Sequence, residues 1–267
     1  MNAALVTGAA SGIGRATALE LQARDWRVYA TDVDGDALDR LPPNLRTFEL
    51  DVTSTEACAE AVERVVDEAG SIDLLVNNAG DSLVGAVESL EVEDVRRQFD
   101  VNLHGPHRLT REVLPHMRER GRGTVVNVSS VLGRVSLPGA GSYCASKHAL
   151  EALSDALRVE VAGYGVDVVL VEPAGVATGF EQDALDGLDR EGVYADLHRS
   201  LERLAGLLMR RPLACESEDV AGVVADAAEA DDPRARYRVG RGAGLLTAAG
   251  HVPSRARDAV HRAVSRL

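Results

Sequence analysis

Tyr143 and Lys147 stand four residues apart in Ser142-Tyr143-Cys144-Ala145-Ser146-Lys147, and among the 29 lysines and arginines of the chain Lys147 is the single lysine. An ammonium is a compact point charge on a flexible stem, whereas a guanidinium is a planar fork. A chain that uses arginine everywhere else therefore keeps lysine where arginine cannot do the work. On a helix, positions i and i+4 share a face, so this phenol and this ammonium can project into one cleft. A cation beside a phenol favours the phenolate and brings its pKa down from about 10 toward working pH, as a general acid/base requires. An isolated Tyr-x-x-x-Lys pair also arises by chance on solvated helices, so other features must decide.

Near the start, Thr7-Gly8-Ala9-Ala10-Ser11-Gly12-Ile13-Gly14 follows an apolar run and leads into a helical pattern. Glycines let backbone turn tightly and approach a pyrophosphate, and the helix N-terminus offers free N–H groups and a favourable dipole. The spacing departs from G-x-G-x-x-G, and a plain strand-to-helix turn would read the same way. Asp32 ends the second apolar run, eighteen residues after Gly14. A carboxylate there can accept hydrogen bonds from ribose hydroxyls and would repel a 2′-phosphate, which favours NAD over NADP. Asp34 and Asp36 make the region acidic in any case, and Arg15 could meet a phosphate, so NADP stays open as the alternative.

These groups need a scaffold, and the apolar pattern supplies one. Short runs rich in Val, Leu and Ala (3–7, 27–31, 47–50, 74–77, 124–129, 166–171 and 237–239) alternate with helical patterns such as 14–25 and 56–69. Strands apolar on both sides and separated by helices predict an α/β fold: a single-domain, Rossmann-type, doubly wound parallel sheet with helices on both faces. Residues 174–215 break the alternation. There Leu185, Leu188, Leu197, Leu201, Leu204 and Leu208 recur at helical spacing, predicting an insertion beyond a strand's carboxyl end, either a substrate lid or an ordinary core-facing helix. The helix beginning near Tyr143 is apolar on most sides, with Leu150, Leu153, Leu157 and Val161 besides four alanines, which suggests a subunit interface.

Composition excludes several classes. At 267 residues and 45% hydrophobic content the chain can bury a sizeable core. A net charge of -13 argues against nucleic acid as a partner. No apolar run reaches the length of a membrane span, and Met1 to Gly8 lacks the pattern of a signal peptide, so a soluble cytoplasmic protein is expected. Cys58, Cys144 and Cys215 are odd in number and widely spaced, and the seven histidines form no ligand pattern, so reduced structural thiols, surface or helix-face histidines and no metal are expected. From Pro233 onward eight arginines face only Asp258; residues 241–267 read as a basic C-terminal tail, solvated or set against an acidic face of another subunit.

Taken together, Thr7-Gly8-x-x-x-Gly12-x-Gly14, Asn77-Asn78-Ala79-Gly80, Asn102, Ser130, and Tyr143-x-x-x-Lys147 resemble, in order and spacing, the classical short-chain dehydrogenase/reductase family. The resemblance runs from the first strand to about Gly240. It implies catalytic roles for four residues: Tyr143 as acid/base, Lys147 on the nicotinamide ribose, Ser130 on the substrate oxygen and Asn102 holding a relay water. It implies cofactor contacts at Gly8, Ser11, Gly12, Ile13 and Gly14; at Asp32; at Asp51 and Val52 around adenine; at Asn78, Ala79 and Gly80; at Tyr143 and Lys147; and at Pro173, Val176 and Thr178. Family members usually carry Pro-Gly where this chain has Pro173-Ala174, so that loop is expected to take a slightly different path. The function implied is an NAD-dependent oxidoreductase interconverting a secondary alcohol and a ketone on a fairly apolar small molecule, as a homodimer or homotetramer. The alternatives are an NADP-dependent ketone reductase and a non-catalytic, dinucleotide-binding regulatory protein.

Overall fold

The computed structural model of the chain describes residues 1–176, 184–208, 214–250 and 252–264. Seven parallel strands form one sheet: β1 (Ala3–Thr7), β2 (Arg27–Asp32), β3 (Arg46–Glu49), β4 (Leu74–Asn77), β5 (Gly123–Val128), β6 (Val166–Pro173) and β7 (Arg236–Val239), in the order 3-2-1-4-5-6-7. Side chains of a strand alternate between faces, and here both faces are apolar. Ala4 and Val6 enter one core with Ala18 and Leu21 of helix α1 (Gly12–Ala23), while Ala3 and Leu5 enter the other with Val62 and Val65 of a later helix. The expected doubly wound α/β fold is what the chain adopts.

On the first face α1 packs against helix α8 (Ser217–Glu229); Arg24 bridges Asp226 at 2.8 Å and Glu229 at 2.9 Å across that contact. Between them in sequence lie α2 (Gly35–Leu38), α3 (Thr55–Ala69), α4 (Val92–Phe99), α5 (Gly105–Arg120), α6 (Gly141–Val161) and α7 (Ala195–Leu208). Helices α3, α5 and α6 bury Val62, Val113 and Val161 against the second face. The strand order reverses between β1 and β4, and the loops beyond the strands' carboxyl ends open a cleft there, as open α/β sheets do.

Two late segments cover that cleft. Leu185, Leu188 and Leu201 bury together with Val84, Leu137 and Ala205 partly buried against them, so the described part of the leucine-rich insertion, helical over Ala195–Leu208, packs over the β4 and β5 loops. His198 of α7 fastens it. Its Nε2 accepts the Ala86 N–H at 3.2 Å, which leaves Nδ1 to donate to the Asp189 carbonyl at 2.6 Å, and Tyr194 donates to the Glu88 carboxylate. His198 is thus buried rather than on the surface. The basic C-terminal stretch borders the cleft as well. After β7 come α9 (Ala243–Ala249) and α10 (Ser254–Val264); half-buried Leu246 and Arg257 and the more exposed Ala249 and Val252 stand at the cleft wall, while Arg241 and Arg255 are exposed.

Candidate active site

The cleft encloses about 1240 Å³. At one end the wall is largely backbone. Gly8 and Gly12 adopt φ of +64° and +50°, and a Cβ added at Gly14 would lie 2.1 Å from the Gly8 carbonyl oxygen. Only glycine fits that close approach. Thr7 Oγ1 accepts the N–H groups of Asn78 and Ala79 at 3.0 Å each, while Asn78 Nδ2 donates to the carbonyls of Thr7 at 2.9 Å and Gly8 at 3.0 Å. The β1 and β4 loops are therefore locked together by these four hydrogen bonds.

Helix α3 has its N-terminus capped by Ser54, and α8 has a capping box. The Ser11 side chain makes no such bond at the start of α1, so the first-turn N–H groups of α1 keep their donors for an anion. Ser11, Gly12 and Ile13 line the cleft, as do Asp32, Asp51, Val52, Asn78, Ala79 and Gly80; Gly14 lies behind them, buried. Asp32 accepts the N–H of Ala10 at 3.0 Å and of Asp34 at 3.2 Å. Asp51 closes a turn by accepting from the N–H and hydroxyl of Thr53, at 2.8 and 2.7 Å. A glycine cradle, an uncapped helix and a carboxylate at the end of β2 fit a dinucleotide.

Ser130, Tyr143 and Lys147 line the same cleft. Ser130 leaves the end of β5 and accepts the Leu132 N–H at 3.1 Å. Lys147, almost wholly buried on α6, donates to the Val128 carbonyl at 2.9 Å, and its Nζ sits 5.8 Å from the centroid of the Tyr143 ring. The ammonium has three hydrogens, and among the described residues this is its single hydrogen bond, so donors remain for ligand hydroxyls. Burial lowers its pKa from 10.5 to about 8, opposed by the charge of Glu151 one turn on.

Asn102 lies in a π-helical turn, Asp100–His104, inserted before α5. Its side chain is spent: Oδ1 accepts the Asp81 N–H at 2.7 Å, and Nδ2 donates to the Asp81 carbonyl at 2.9 Å and to Ser146 Oγ at 3.0 Å. Pro106, four residues on, has no N–H to return to the Asn102 carbonyl. The amide side chain of Asn102 is therefore fully engaged and not left to hold a water.

Pro173, Ala174, Gly175 and Val176 also line the cleft, and Thr178 lies outside the described residues. The Ala174 methyl, in place of glycine, is accommodated against Val131 and Ala243 and beside Gly240. The three thiols are buried, and burial raises the Cys144 pKa, which suits a structural residue beside the site.

Some positioning residues escaped the sequence reading. Asn77 Nδ2 donates to Asn127 Oδ1, and Asn127 Nδ2 to Ser154 Oγ, both at 2.8 Å, tying β4 to β5 to α6. Behind Lys147, Arg236 of β7 reaches Glu151 at 3.0 Å, Asp155 at 2.6 Å and Glu172 at 3.1 Å, pinning α6 to the sheet edge. The only sequence signal for the first group was two asparagines in apolar strands, and for the second an arginine in a strand.

The short chain dehydrogenase family profile matches residues 2–188. A human 17-beta-hydroxysteroid dehydrogenase type 1 is 37% identical over 251 residues, covering 87% of this chain and 76% of that protein. A 3-ketodihydrosphingosine reductase of Bacteroides thetaiotaomicron is 38% identical over 180 residues, 66% of this chain; the match spans 64% of that relative. Among solved structures, a short-chain dehydrogenase from Streptomyces avermitilis has a TM-score of 0.82 at 35% identity, covering 99% of this chain and 97% of its own. A Burkholderia phymatum member in complex with NAD has a TM-score of 0.79 at 29% identity, covering 92% and 91%. A metagenomic member in complex with NADP has 0.71 at 27%, covering 89% and 96%. The chain belongs to the short-chain dehydrogenase/reductase family and is an oxidoreductase. Among the described residues, no helix is long and apolar enough to cross a membrane.

Proposed function

We propose that the protein is an NAD-dependent oxidoreductase that interconverts a secondary alcohol and a ketone on a fairly apolar small molecule. The observation that carries this reading is that Ser130, Tyr143 and Lys147 line one cleft together with the glycine loop and the leucines of the insertion. A bound nicotinamide dinucleotide would supply or accept the hydride. Tyr143 delivers a proton to the ketone oxygen in reduction and removes it from the hydroxyl in oxidation. The Ser130 hydroxyl donates to the same oxygen and stabilises the charge that grows on it. Lys147 holds ribose hydroxyls with its remaining donors and favours the phenolate; a water on the Asn102 carbonyl continues the proton path. Val176 and Pro173 support the nicotinamide, with Thr178 assigned to its carboxamide. Asp51 and Val52 receive adenine.

Asp32 lines the cleft at the end of β2, whereas Arg15 is exposed and does not line it, which supports NAD over NADP. The 174–215 segment serves as the substrate lid, its leucines making the substrate end apolar. An exposed stripe on α6, Ala145, Ala152, Ala156 and Val159, supports assembly as a homodimer or homotetramer. Fluorescence titration with NADH and NADPH, followed by absorbance assays on uncharged ketones of increasing size, tests the reading. Tighter NADH binding and NADH-dependent turnover are expected; tighter NADPH binding would overturn the use of Asp32. Dinucleotide binding without turnover of any ketone or alcohol would favour a regulatory protein.

A further inference from the structure

Charged side chains divide unequally along the cleft. Asp32, Asp51 and Asp81 lie toward the glycine loops, Lys147 lies at the centre, and Arg97 is held by Asp81 at 3.3 Å and Asp94 at 3.7 Å. Arg257 is the other cation on the wall. It lines the cleft from α10, half-buried, and among the described residues its guanidinium has no carboxylate partner. The tail that carries it passes beside the segment after Ser130, since a Cβ built at Gly250 would lie 2.4 Å from the Arg134 carbonyl oxygen and 3.2 Å from Val135 Cγ1. The tail, and Arg257 with it, therefore approaches the cleft from the side of the segment after Ser130.

The chain has 42 carboxylates against 29 lysines and arginines, so Arg257 is not short of possible partners. Other arginines that approach the interior have them: Arg108 with Asp100 at 2.7 Å, Arg236 with Glu151, Glu172 and Asp155, and Arg238 with Glu172 at 3.2 Å. A partly desolvated guanidinium without a counter-charge is costly, and a planar fork is well matched to a carboxylate, phosphate or sulfate. Neighbours Leu246, Ala249 and Val252 are apolar, so the anion must arrive attached to an apolar body.

We propose that the substrate is an amphipathic ketone or secondary alcohol whose apolar body ends in an anionic group, and that Arg257 binds that group. This inference rests on the oxidoreductase reading above and adds the charge of the substrate to it. The anion fixes how deeply the apolar body enters, and so which carbon is presented to Ser130 and Tyr143.

Isothermal titration of the full-length protein with octanoate and with 1-octanol tests it, because the two probes share a chain and differ in the charged end. Octanoate should bind at least tenfold more tightly than 1-octanol. Arg257→Met should remove that preference while leaving 1-octanol and NADH affinity unchanged, and Arg257→Lys should retain part of it. Equal binding of the probes, absence of octanoate binding, or parallel loss of both in Arg257→Met would overturn the proposal. Those results leave the oxidoreductase reading standing if uncharged ketones are turned over, whereas failure of that assay with octanoate still bound would sink the enzymatic reading alone.

Discussion

At the dinucleotide end of the cleft the wall is main chain: Gly8 at φ +64°, Gly12 at +50°, and Gly14 pressed against the Gly8 carbonyl, with Thr7 and Asn78 bonding the loops from behind. At the substrate end the wall is side chain, supplied by helices that follow the last crossovers: Leu185 and Leu201 from the insertion, Leu246 from the tail. A backbone wall holds one shape and recognises a constant ligand. A side-chain wall can change residue by residue without disturbing the sheet. Under the proposed function, the difference puts cofactor recognition in β1 to β4 and substrate choice after β6, with the proposed proton-handling residues on the seam.

If the two ends are separable, substitutions should affect one ligand at a time. Among substitutions in the two walls, the largest effect is expected from Gly14→Ala, whose methyl has no room beside Gly8 and Asn78. Overpacking of this kind costs about 1–3 kcal/mol. NADH affinity, read by fluorescence, should fall at least tenfold with a lowered melting temperature. A normal NADH titration would show that the backbone wall is not the cofactor cradle. Leu201→Ala should do the converse: KM for an apolar ketone rises several-fold and NADH affinity stays constant. Because Leu201 packs in a satellite cluster apart from the two main cores, the melting temperature should fall less than for an equivalent truncation of Leu75. Equal losses at Leu201 and Leu75 would remove the distinction between lid and core.

The smallest effect concerns the seam. The Glu151 carboxylate raises the pKa of Lys147 against the lowering effect of burial, so Glu151→Gln should let Lys147 lose its proton at a pH below about 8. Ketone reduction needs the cation beside Tyr143, and the alkaline limb of the kcat/KM profile should therefore move to lower pH while NADH affinity at pH 6 is unchanged. A shift to higher pH, or none, would mean that Glu151 only anchors Arg236.

The strands were readable because parallel strands buried on both faces leave near-continuous apolar runs, and each observed strand overlaps its predicted run. Tyr143 and Lys147 were readable because helical spacing turns sequence separation into proximity. Other parts depend on partners far apart in the chain. Nothing near His198 signals that it will accept the Ala86 N–H, 112 residues away, and nothing near Arg236 signals the carboxylates of α6. The π-helical turn at Asn102 likewise gave no periodic signal, although Pro106 marked the place where α-helical bonding must fail. The tail's arginines signal solvent, and Arg241 and Arg255 are exposed, but charge alone gives no sign that Leu246 and Arg257 border the cleft.

The most direct test is single-turnover reduction of a ketone by Tyr143→Phe with NADH affinity measured on the same sample. Removing the proton donor should slow reduction by roughly 10²–10⁴-fold, with NADH binding within about twofold of the wild type. Turnover at the wild-type rate would contradict the assignment of Tyr143 as the group that moves the proton.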